Sequence, residues 1–207
     1  LHPGTLAGVA QHSRYEQDAL GRLAGTIRWL TVTTFGSHEA VASEASRVNR
    51  LHDRVKGEYQ DNSGAERKYQ AKDTDLLLWV HIAFTDSFLT CHQMYAWREI
   101  PGGADAYVDQ WARSVEPLGL TNAPHSKEDL VREIDRFTST SILRADETTQ
   151  KVIGFIRNPG LPIAVMPIYK LLFAAAVVSL SPEHRKMLNL RVLPAWLVVP
   201  LTRVTLR

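Results

Sequence analysis

Residues 76–84 of this chain read LLLWVHIAF, a run in which His81 is the only ionisable side chain. The run belongs to a longer apolar segment that Asp73 or Thr74 can cap and that continues to about Trp97. A helix that is apolar on every side is normally buried in the core of a protein. The segment therefore predicts a buried central helix, around which we expect the other helices to pack.

Helical spacing of apolar residues recurs along the chain, whereas no extended alternation of apolar and polar residues runs between hairpin turns. We expect Gly57 to stop the third helix and the polar segment 59–72 to be a loop. The sequence thus predicts an all-α, single-domain, multi-helix bundle over residues 1–207. The predicted helices cover approximately residues 6–11, 18–32, 37–56, 73–97, 104–115, 126–137 and 146–157, followed by apolar helices joined by proline turns and a helix start at Ser181-Pro182.

Charge and cysteine content exclude several classes of protein. The chain has 24 Lys plus Arg against 22 Asp plus Glu, a formal charge of +2, without a block of like charge. Nucleic acid is therefore not an expected partner, because phosphate binding needs a basic stripe. Cys91 is the single cysteine, so no internal disulfide and no thiolate zinc or iron–sulfur site can form within the chain. A reducing, cytoplasmic location is the simplest expectation.

The segment 161–180 is apolar enough to raise the question of a membrane span. Pro162, Pro167 and Lys170 interrupt it, and a lysine in the middle of a spanning helix is costly. We therefore expect a buried core helix and no membrane association. The numbering begins at Leu1 without an initiator methionine or a signal pattern, so we also expect that residues precede it in the natural protein.

His81 has two interpretations. Desolvation disfavours the charged form of a buried imidazole, so the ring must be neutral and either hydrogen-bonded or bound to a metal. Most buried polar groups are simply hydrogen-bonded, which favours a structural core histidine. Metal ligation depends on what lies around the ring. Leu77 and Thr85 flank His81 one turn to either side, with Phe84 and Phe88 close by. Apolar walls around one nitrogen ligand suit a flat hydrophobic cofactor better than a hydrated ion.

The helix predicted over residues 37–56 carries a second histidine and a row of arginines. His52 lies on its apolar stripe, and Arg47, Arg50 and Arg54 follow a neighbouring line at spacings of three and four. A solvated flank and a structural histidine are the simpler interpretations. Guanidinium groups are also the usual partners of carboxylates at a pocket rim. Two such helices could place Arg47, His52 and His81 around one cavity.

Several short motifs occur along the chain in a characteristic order. They are His2-Pro3, Gln11-His12-Ser13, Leu20-x-Arg22-x-x-x-Thr26, Phe35-Gly36, Arg47-Val48-x-Arg50-Leu51-His52-x-x-Val55-x-Gly57, Tyr69-x-Ala71-x-Asp73, Leu77-Leu78-Trp79-Val80-His81, Pro167-Ile168-Tyr169 and Leu180-Ser181-Pro182. This set of motifs resembles the catalytic domain shared by MpaB-type oxygenases and the latex clearing protein, a rubber oxygenase. The resemblance covers most of the chain, and the pairing of the segment 47–57 with Trp79-Val80-His81 is fairly specific.

The resemblance implies an all-helical bundle enclosing a heme pocket, with one heme b whose iron is ligated by His81. It implies that Arg47 matches an arginine near the heme, which would hold a propionate or polarise the oxidant. Arg50 and Leu51 stand where the rubber oxygenases have a lysine–threonine pair, so rubber cleavage itself is not implied for this chain. The expected cofactor-binding residues are His81, Arg47, Arg50, Leu77, Phe84, Thr85 and Phe88.

The expected activity is that of a heme-dependent oxygenase or oxidoreductase. Its substrate would be a small apolar molecule bearing an alkene or an aromatic ring, with dioxygen or peroxide as the oxidant, and Arg47 and His52 as catalytic residues. One alternative is an all-helical ligand-binding or regulatory domain without redox turnover, in which His81 needs only a hydrogen bond. Another is a heme protein that stores, senses or transfers without turnover. The sequence does not indicate the oligomeric state.

Overall fold

The computed structural model describes residues 1–13 and 18–207, and this part of the chain forms ten α-helices, one short 3-10 helix and one antiparallel hairpin. The prediction of a helical protein is confirmed, and the hairpin is the one departure from an all-α chain among the described residues. In chain order the elements are α1 Pro3–His12, α2 Ala19–Phe35, α3 His38–His52, β1 Lys56–Gln60, β2 Glu66–Gln70, α4 Thr74–Tyr95, α5 Gly103–Ala112, the 3-10 helix Glu116–Leu118, α6 Lys127–Ser139, α7 Glu147–Arg157, α8 Met166–Ser179, α9 Pro182–Met187 and α10 Ala195–Thr205.

The central helix of the fold is α4, as the sequence predicted. It contacts α1, α5, α6, α8 and α10. The buried side chains of its inner side form a hydrophobic core with residues of α5, α6 and the loops beside them. A second, smaller core lies between the end of α4, α8 and α10. The first core consists of Leu78, Trp79, Ile82, Leu89, Val108, Ala112, Leu120, Ala123, Leu130, Phe137 and Leu143, and the second of Tyr95, Ala175, Val178 and Val198.

Polar residues begin several helices where the sequence predicted a start. Ser126 Oγ accepts the N–H of Asp129 at the start of α6, and Asp146 Oδ1 accepts the N–H of Thr149 at the start of α7. Ser181 caps α9 in the same way, with proline at its first position. Asp73 precedes α4 but uses its carboxylate to accept the N–H of Gln70, so α4 begins without a side-chain cap. These local signals fixed most of the helix boundaries to within a few residues.

The segment predicted as a polar loop contains the β-hairpin of β1 and β2. The two strands pair antiparallel, and Tyr59 and Tyr69 turn their rings inward, with 6.2 Å between the centroids. Each strand has only one large apolar side chain facing the protein, so the alternation was too weak to predict a strand. The hairpin depends on α1 instead. Tyr69 Oη donates to Gln11 Oε1 at 2.8 Å, and Gln11 Nε2 donates to the carbonyl of Glu58 at 3.0 Å.

Gly57 was predicted to stop α3, but α3 ends at His52 and Gly57 lies inside β1, opposite Tyr69. A Cβ at Gly57 would lie 2.5 Å from Gln11 Oε1 and 3.1 Å from the Tyr69 ring. The glycine therefore leaves room for the hydrogen bond between Tyr69 and Gln11. Close approach of a neighbouring chain is a common reason for glycine within a strand.

The apolar segment 161–180 was predicted to be a buried core helix, and this is correct for one side only. Its helix, α8, buries Ala175, Val177 and Val178, whereas Ile168 and Leu172 are exposed. Of the helices in residues 1–13 and 18–207, none combines the length and the apolar character needed to cross a membrane.

Candidate functional site

His81 lies in the second turn of α4, on the side that faces the core. Its neighbours Leu78, Ile82 and Thr85 are almost completely buried, and the histidine itself is 3% exposed. Burial and, to a smaller extent, the nearby His125 lower the pKa of His81 to about 4. The imidazole is therefore neutral at pH 7, as predicted for a histidine inside an apolar helix.

The ring of His81 forms few hydrogen bonds with the described residues. Thr85 Oγ1 donates its proton to the carbonyl of His81 at 2.7 Å, and lies 3.5 Å from Nε2. The Thr85 hydroxyl can therefore only accept a hydrogen bond from the His81 ring, which favours the tautomer with the proton on Nε2. Nδ1 is buried and has no partner among the described residues. Within residues 1–13 and 18–207, the lone pair of this buried nitrogen therefore has no hydrogen-bond donor, which is unusual for a buried polar atom.

An apolar stripe runs along α4 beside His81. We define the α4 stripe as Leu77, Val80, Phe84 and Phe88, which are spaced three and four residues apart and so lie on one side of the helix. Val80 and Phe88 are each more than a third exposed, and Leu77 and Phe84 are half-buried. The Phe84 and Phe88 rings lie 5.5 Å apart, and Phe88 packs edge-on against Trp111 of α5. Next to the buried imidazole, α4 thus presents aromatic and aliphatic surface that the fold only partly covers.

Arg47 lies on α3 and is held by Glu44, one turn earlier. Arg47 Nε donates to both carboxylate oxygens of Glu44 at 3.0 Å, and Nη2 donates to Oε1 at 2.5 Å. Arg28 of α2 donates through Nε to Glu44 Oε2 at 2.9 Å. These bonds, above all those with Arg47, hold the pKa of the Glu44 carboxyl below its usual value, and they raise the pKa of Arg47. Two arginines from neighbouring helices therefore share one carboxylate that is 2% exposed.

The sequence placed Glu44 near the position of the glutamate base of the rubber oxygenases, without aligning it with that base. Its i,i+3 spacing from Arg47 is the usual signal of a pair on one helix. That spacing alone could not show that the carboxylate is buried. Burial depends on α2, which packs against α3 and brings Arg28 to the other side of Glu44.

His52 and Arg50 complete the predicted set on α3. His52 is the last residue of the helix and is half-buried, and its Nδ1 has no partner among the described residues. Burial lowers its pKa, with a smaller contribution from the positive charge of Lys72. Arg50 is exposed. No hydrogen bond or ion pair within residues 1–13 and 18–207 joins Arg47 or His52 to His81, so their grouping around one cavity stays a prediction.

Two cavities lie beside the hairpin, away from the predicted site residues. The larger measures about 720 Å³ and has a polar lining that includes Tyr59, Arg67 and Asp75. The second measures about 670 Å³ and is lined by Gln11, Glu58 and neighbouring strand residues. Neither is lined by any residue of the predicted set. Among the described residues, no group of three or more His, Cys, Asp or Glu side chains could hold a metal ion.

The family described as ER-bound oxygenase mpaB/B′ and rubber oxygenase, catalytic domain, matches residues 1–207, which is the whole chain. The chain belongs to this family. No curated protein and no solved structure matches it significantly. The family match confirms the resemblance that the sequence motifs indicated. Because the matched region is the catalytic domain of an oxygenase family, we assign the chain to the enzymes of that class.

Proposed function

We propose that this family member is a heme b-dependent oxygenase whose iron is ligated by His81 and whose substrate is a small apolar molecule bearing an alkene or an aromatic ring. One observation carries the proposal: His81 is a buried, neutral imidazole with an unpartnered ring nitrogen in the middle of an apolar helix. An imidazole binds metal through such a neutral nitrogen. In an oxygenase catalytic domain, that nitrogen is the strongest candidate for an iron ligand.

The ligand set favours iron held in a macrocycle. A bare iron site needs several protein ligands, and the described residues contain no group of three or more candidate metal-ligating side chains. A heme supplies four nitrogen ligands itself, so a single imidazole is enough to hold it. The α4 stripe adds the apolar, partly aromatic surface that a flat macrocycle covers. The donor set at His81 therefore fits a heme, and it fits a hydrated metal ion less well.

The residues on α4 have separate tasks in this proposal. The His81 nitrogen that faces away from the iron needs a hydrogen-bond acceptor, because such a partner fixes the tautomer and the orientation of a metal-bound histidine. The Thr85 hydroxyl can serve as this acceptor, because it lies 3.5 Å from Nε2, and the nitrogen left for the iron is then Nδ1. Leu77, Phe84 and Phe88 pack against the macrocycle and keep water away.

The residues on α3 act at the polar edge of the site. Glu44 holds Arg47 in a fixed orientation, so that its remaining N–H groups can bind a carboxylate or orient the oxidant. Arg50 is exposed, and in this proposal it would bind a propionate at the surface. His52 has a neutral, unpartnered nitrogen that can accept a proton from the substrate. The heme, when bound, supplies the oxidation chemistry with dioxygen or peroxide.

The proposed location is the cytoplasm, a reducing compartment. The support is the cysteine content, because Cys91 is the single cysteine and the chain cannot form an internal disulfide.

An absorption spectrum after reconstitution with hemin tests the heme assignment. We expect a Soret band that His81→Ala abolishes and that free imidazole restores in His81→Gly. His184→Ala is the matched control, because His184 also has an unpartnered, buried ring nitrogen, and its band should remain. A missing band in the native chain, or an unchanged band in His81→Ala, would refute the assignment and favour a ligand-binding domain without heme.

Thr85→Val provides a second measurement that does not depend on removing the ligand. The change keeps the shape of the side chain but removes the acceptor beside the ring, so we expect hemin affinity to fall about tenfold or more. Thr138→Val is the matched control, since Thr138 also donates to the carbonyl four residues earlier, at 2.8 Å from Ile134. If heme binds but no oxygen is consumed with alkene-bearing or aromatic compounds, a sensor or store is favoured over an oxygenase.

A further inference from the structure

The helix α10 has its apolar side turned outward. Val198 and Thr202 are buried against the rest of the protein, which α10 contacts through α8 and α4. On the opposite side every residue of the helix is apolar and exposed. We define the α10 outer face as Trp196, Leu197, Pro200, Leu201 and Val204. A surface helix usually has charged or polar residues in these positions, so we expect a partner to bind this face.

Two tryptophans mark the two ends of this face. Trp196 lies in the first turn of α10 and is 77% exposed. Trp97, which follows α4, is 62% exposed and donates its indole N–H to the carbonyl of Arg203 near the other end of the helix. Arg203 in turn donates to the carbonyl of Met94 at 2.9 Å, which fastens α10 to the end of α4. Exposed indoles beside apolar side chains are typical of surfaces that enter the interfacial region of a bilayer.

The segment around this face is positively charged. Residues 184–207 contain Arg185, Lys186, Arg191, Arg203 and Arg207 and no Asp or Glu, although the whole chain carries a formal charge of only +2. Lys186, Arg191 and Arg207 are exposed, and the Arg207 guanidinium lies 5.8 Å from the centre of the Trp97 ring. None of the five side chains forms an ion pair within the described residues. The charge is thus available to a partner.

We propose that the α10 outer face binds the surface of an anionic lipid bilayer. An apolar helix face with exposed indoles, together with unpaired cations in the same region of the chain, is the combination that inserts into the boundary between headgroups and acyl chains. The positive charge argues against dimerisation through this face, because a two-fold contact would bring the positive segments of two chains together. The sequence-based expectation of no membrane association rested on the absence of a spanning helix, and surface binding needs none. The proposal does not depend on the heme.

Co-sedimentation of the full chain with vesicles tests this proposal. We expect binding to vesicles of mixed phosphatidylcholine and phosphatidylserine, weak binding to phosphatidylcholine alone, and release as salt is raised. Arg191→Gln and Arg207→Gln should each weaken binding to the anionic vesicles about fivefold, the effect of one cationic side chain near such a surface.

The apolar contribution is tested by a double change, Trp196→Ser with Leu201→Ser, which should weaken vesicle binding by at least about tenfold. Phe35→Ser with Val131→Ser is the matched control, because it removes two exposed apolar side chains from α2 and α6 and should leave binding unchanged. Far-UV circular dichroism and the melting temperature check that both doubly changed proteins are folded. In vesicles made with brominated lipids, Trp196→Phe should lose part of the tryptophan quenching seen in the unchanged chain.

Three results would overturn the proposal. The first is no binding to either type of vesicle by the folded chain. The second is equal binding by the unchanged chain and by Trp196→Ser with Leu201→Ser. The third is a dimer in light scattering that the same double change converts to a monomer, which would make a second copy of the chain the cover of this face.

Discussion

His81 illustrates how burial determines the chemistry of a single side chain. Its place in an apolar run predicted a buried, neutral imidazole, and the structure confirms this, with a pKa lowered to about 4. The run could not reveal which ring nitrogen lacks a partner. That property depends on the Thr85 hydroxyl, whose proton goes to the carbonyl of His81, and on the lack of a partner for Nδ1 among the described residues. The role of His81 as an iron ligand stays a prediction.

Glu44→Gln should destabilise the protein at pH 7. The change removes the charge that two arginines share, and we expect the free energy of unfolding to fall by about 2 kcal/mol, in the range of hydrogen bonds to charged groups. The folded-state pKa of Glu44 lies below its usual value of 4.5. Its stabilisation is therefore fully present above about pH 4.5 and is lost as pH falls through the lower, folded-state value. The difference between the native chain and Glu44→Gln should close in acid.

Urea unfolding at several pH values measures this difference. Glu66→Gln serves as the control, because Glu66 is exposed and forms no ion pair within the described residues, and its change should stay within about 0.5 kcal/mol. A difference for Glu44→Gln that is the same at pH 7 and in strong acid would contradict the electrostatic explanation.

At the scale of secondary-structure elements, the hairpin shows where local patterns are insufficient. The helices follow from periodic apolar residues and capping side chains, which are local signals. β1 and β2 are too polar for such a signal, and their stability comes from contacts with α1 about 50 residues earlier in the chain, as in the hydrogen bond between Tyr69 and Gln11. Elements that depend on distant partners are the ones that a single sequence predicts least well.

Tyr69→Phe should lower the free energy of unfolding by about 1 kcal/mol, the net contribution of one hydrogen bond. The change removes the Tyr69 hydroxyl, which donates to Gln11 at 2.8 Å, and leaves the ring in place. Tyr59→Phe is the matched control on the partner strand, since the Tyr59 hydroxyl forms no described hydrogen bond. Thermal or urea unfolding measures both, and equal losses for the two variants would contradict the assigned bond.

The whole molecule is organised around α4, which contributes to both hydrophobic cores. Phe137 of α6 joins the first core and is completely buried, with its ring 5.2 Å from that of Trp79. The outer surface is less regular, because the α4 stripe and the α10 outer face leave apolar side chains in contact with solvent. Both surfaces follow from helices that are apolar on more sides than their neighbours can cover. One lies beside the predicted iron ligand and the other is the proposed lipid-binding face.

Phe137→Ala should destabilise the protein by about 3–5 kcal/mol, because it leaves a cavity in the core that the surrounding helices fill only in part. Phe35→Ala removes the same atoms from a side chain that is 84% exposed at the end of α2, and should cost less than about 0.5 kcal/mol. Chemical unfolding followed by circular dichroism gives both values. Similar losses for the two variants would show that Phe137 is not a core residue.

Local information in the sequence was sufficient for the helical class, the central position of α4 and the burial of His81, because these follow from residue patterns within single segments. The family followed from motifs distributed along most of the chain. The hairpin, the burial of Glu44 between Arg28 and Arg47, the unpartnered nitrogen of His81 and the outward-facing apolar side of α10 required the tertiary structure. Each of these features depends on whether residues that are distant in the sequence lie close together in the fold. A sequence pattern shows which side of a helix is apolar, but only the packed structure shows whether another element covers it.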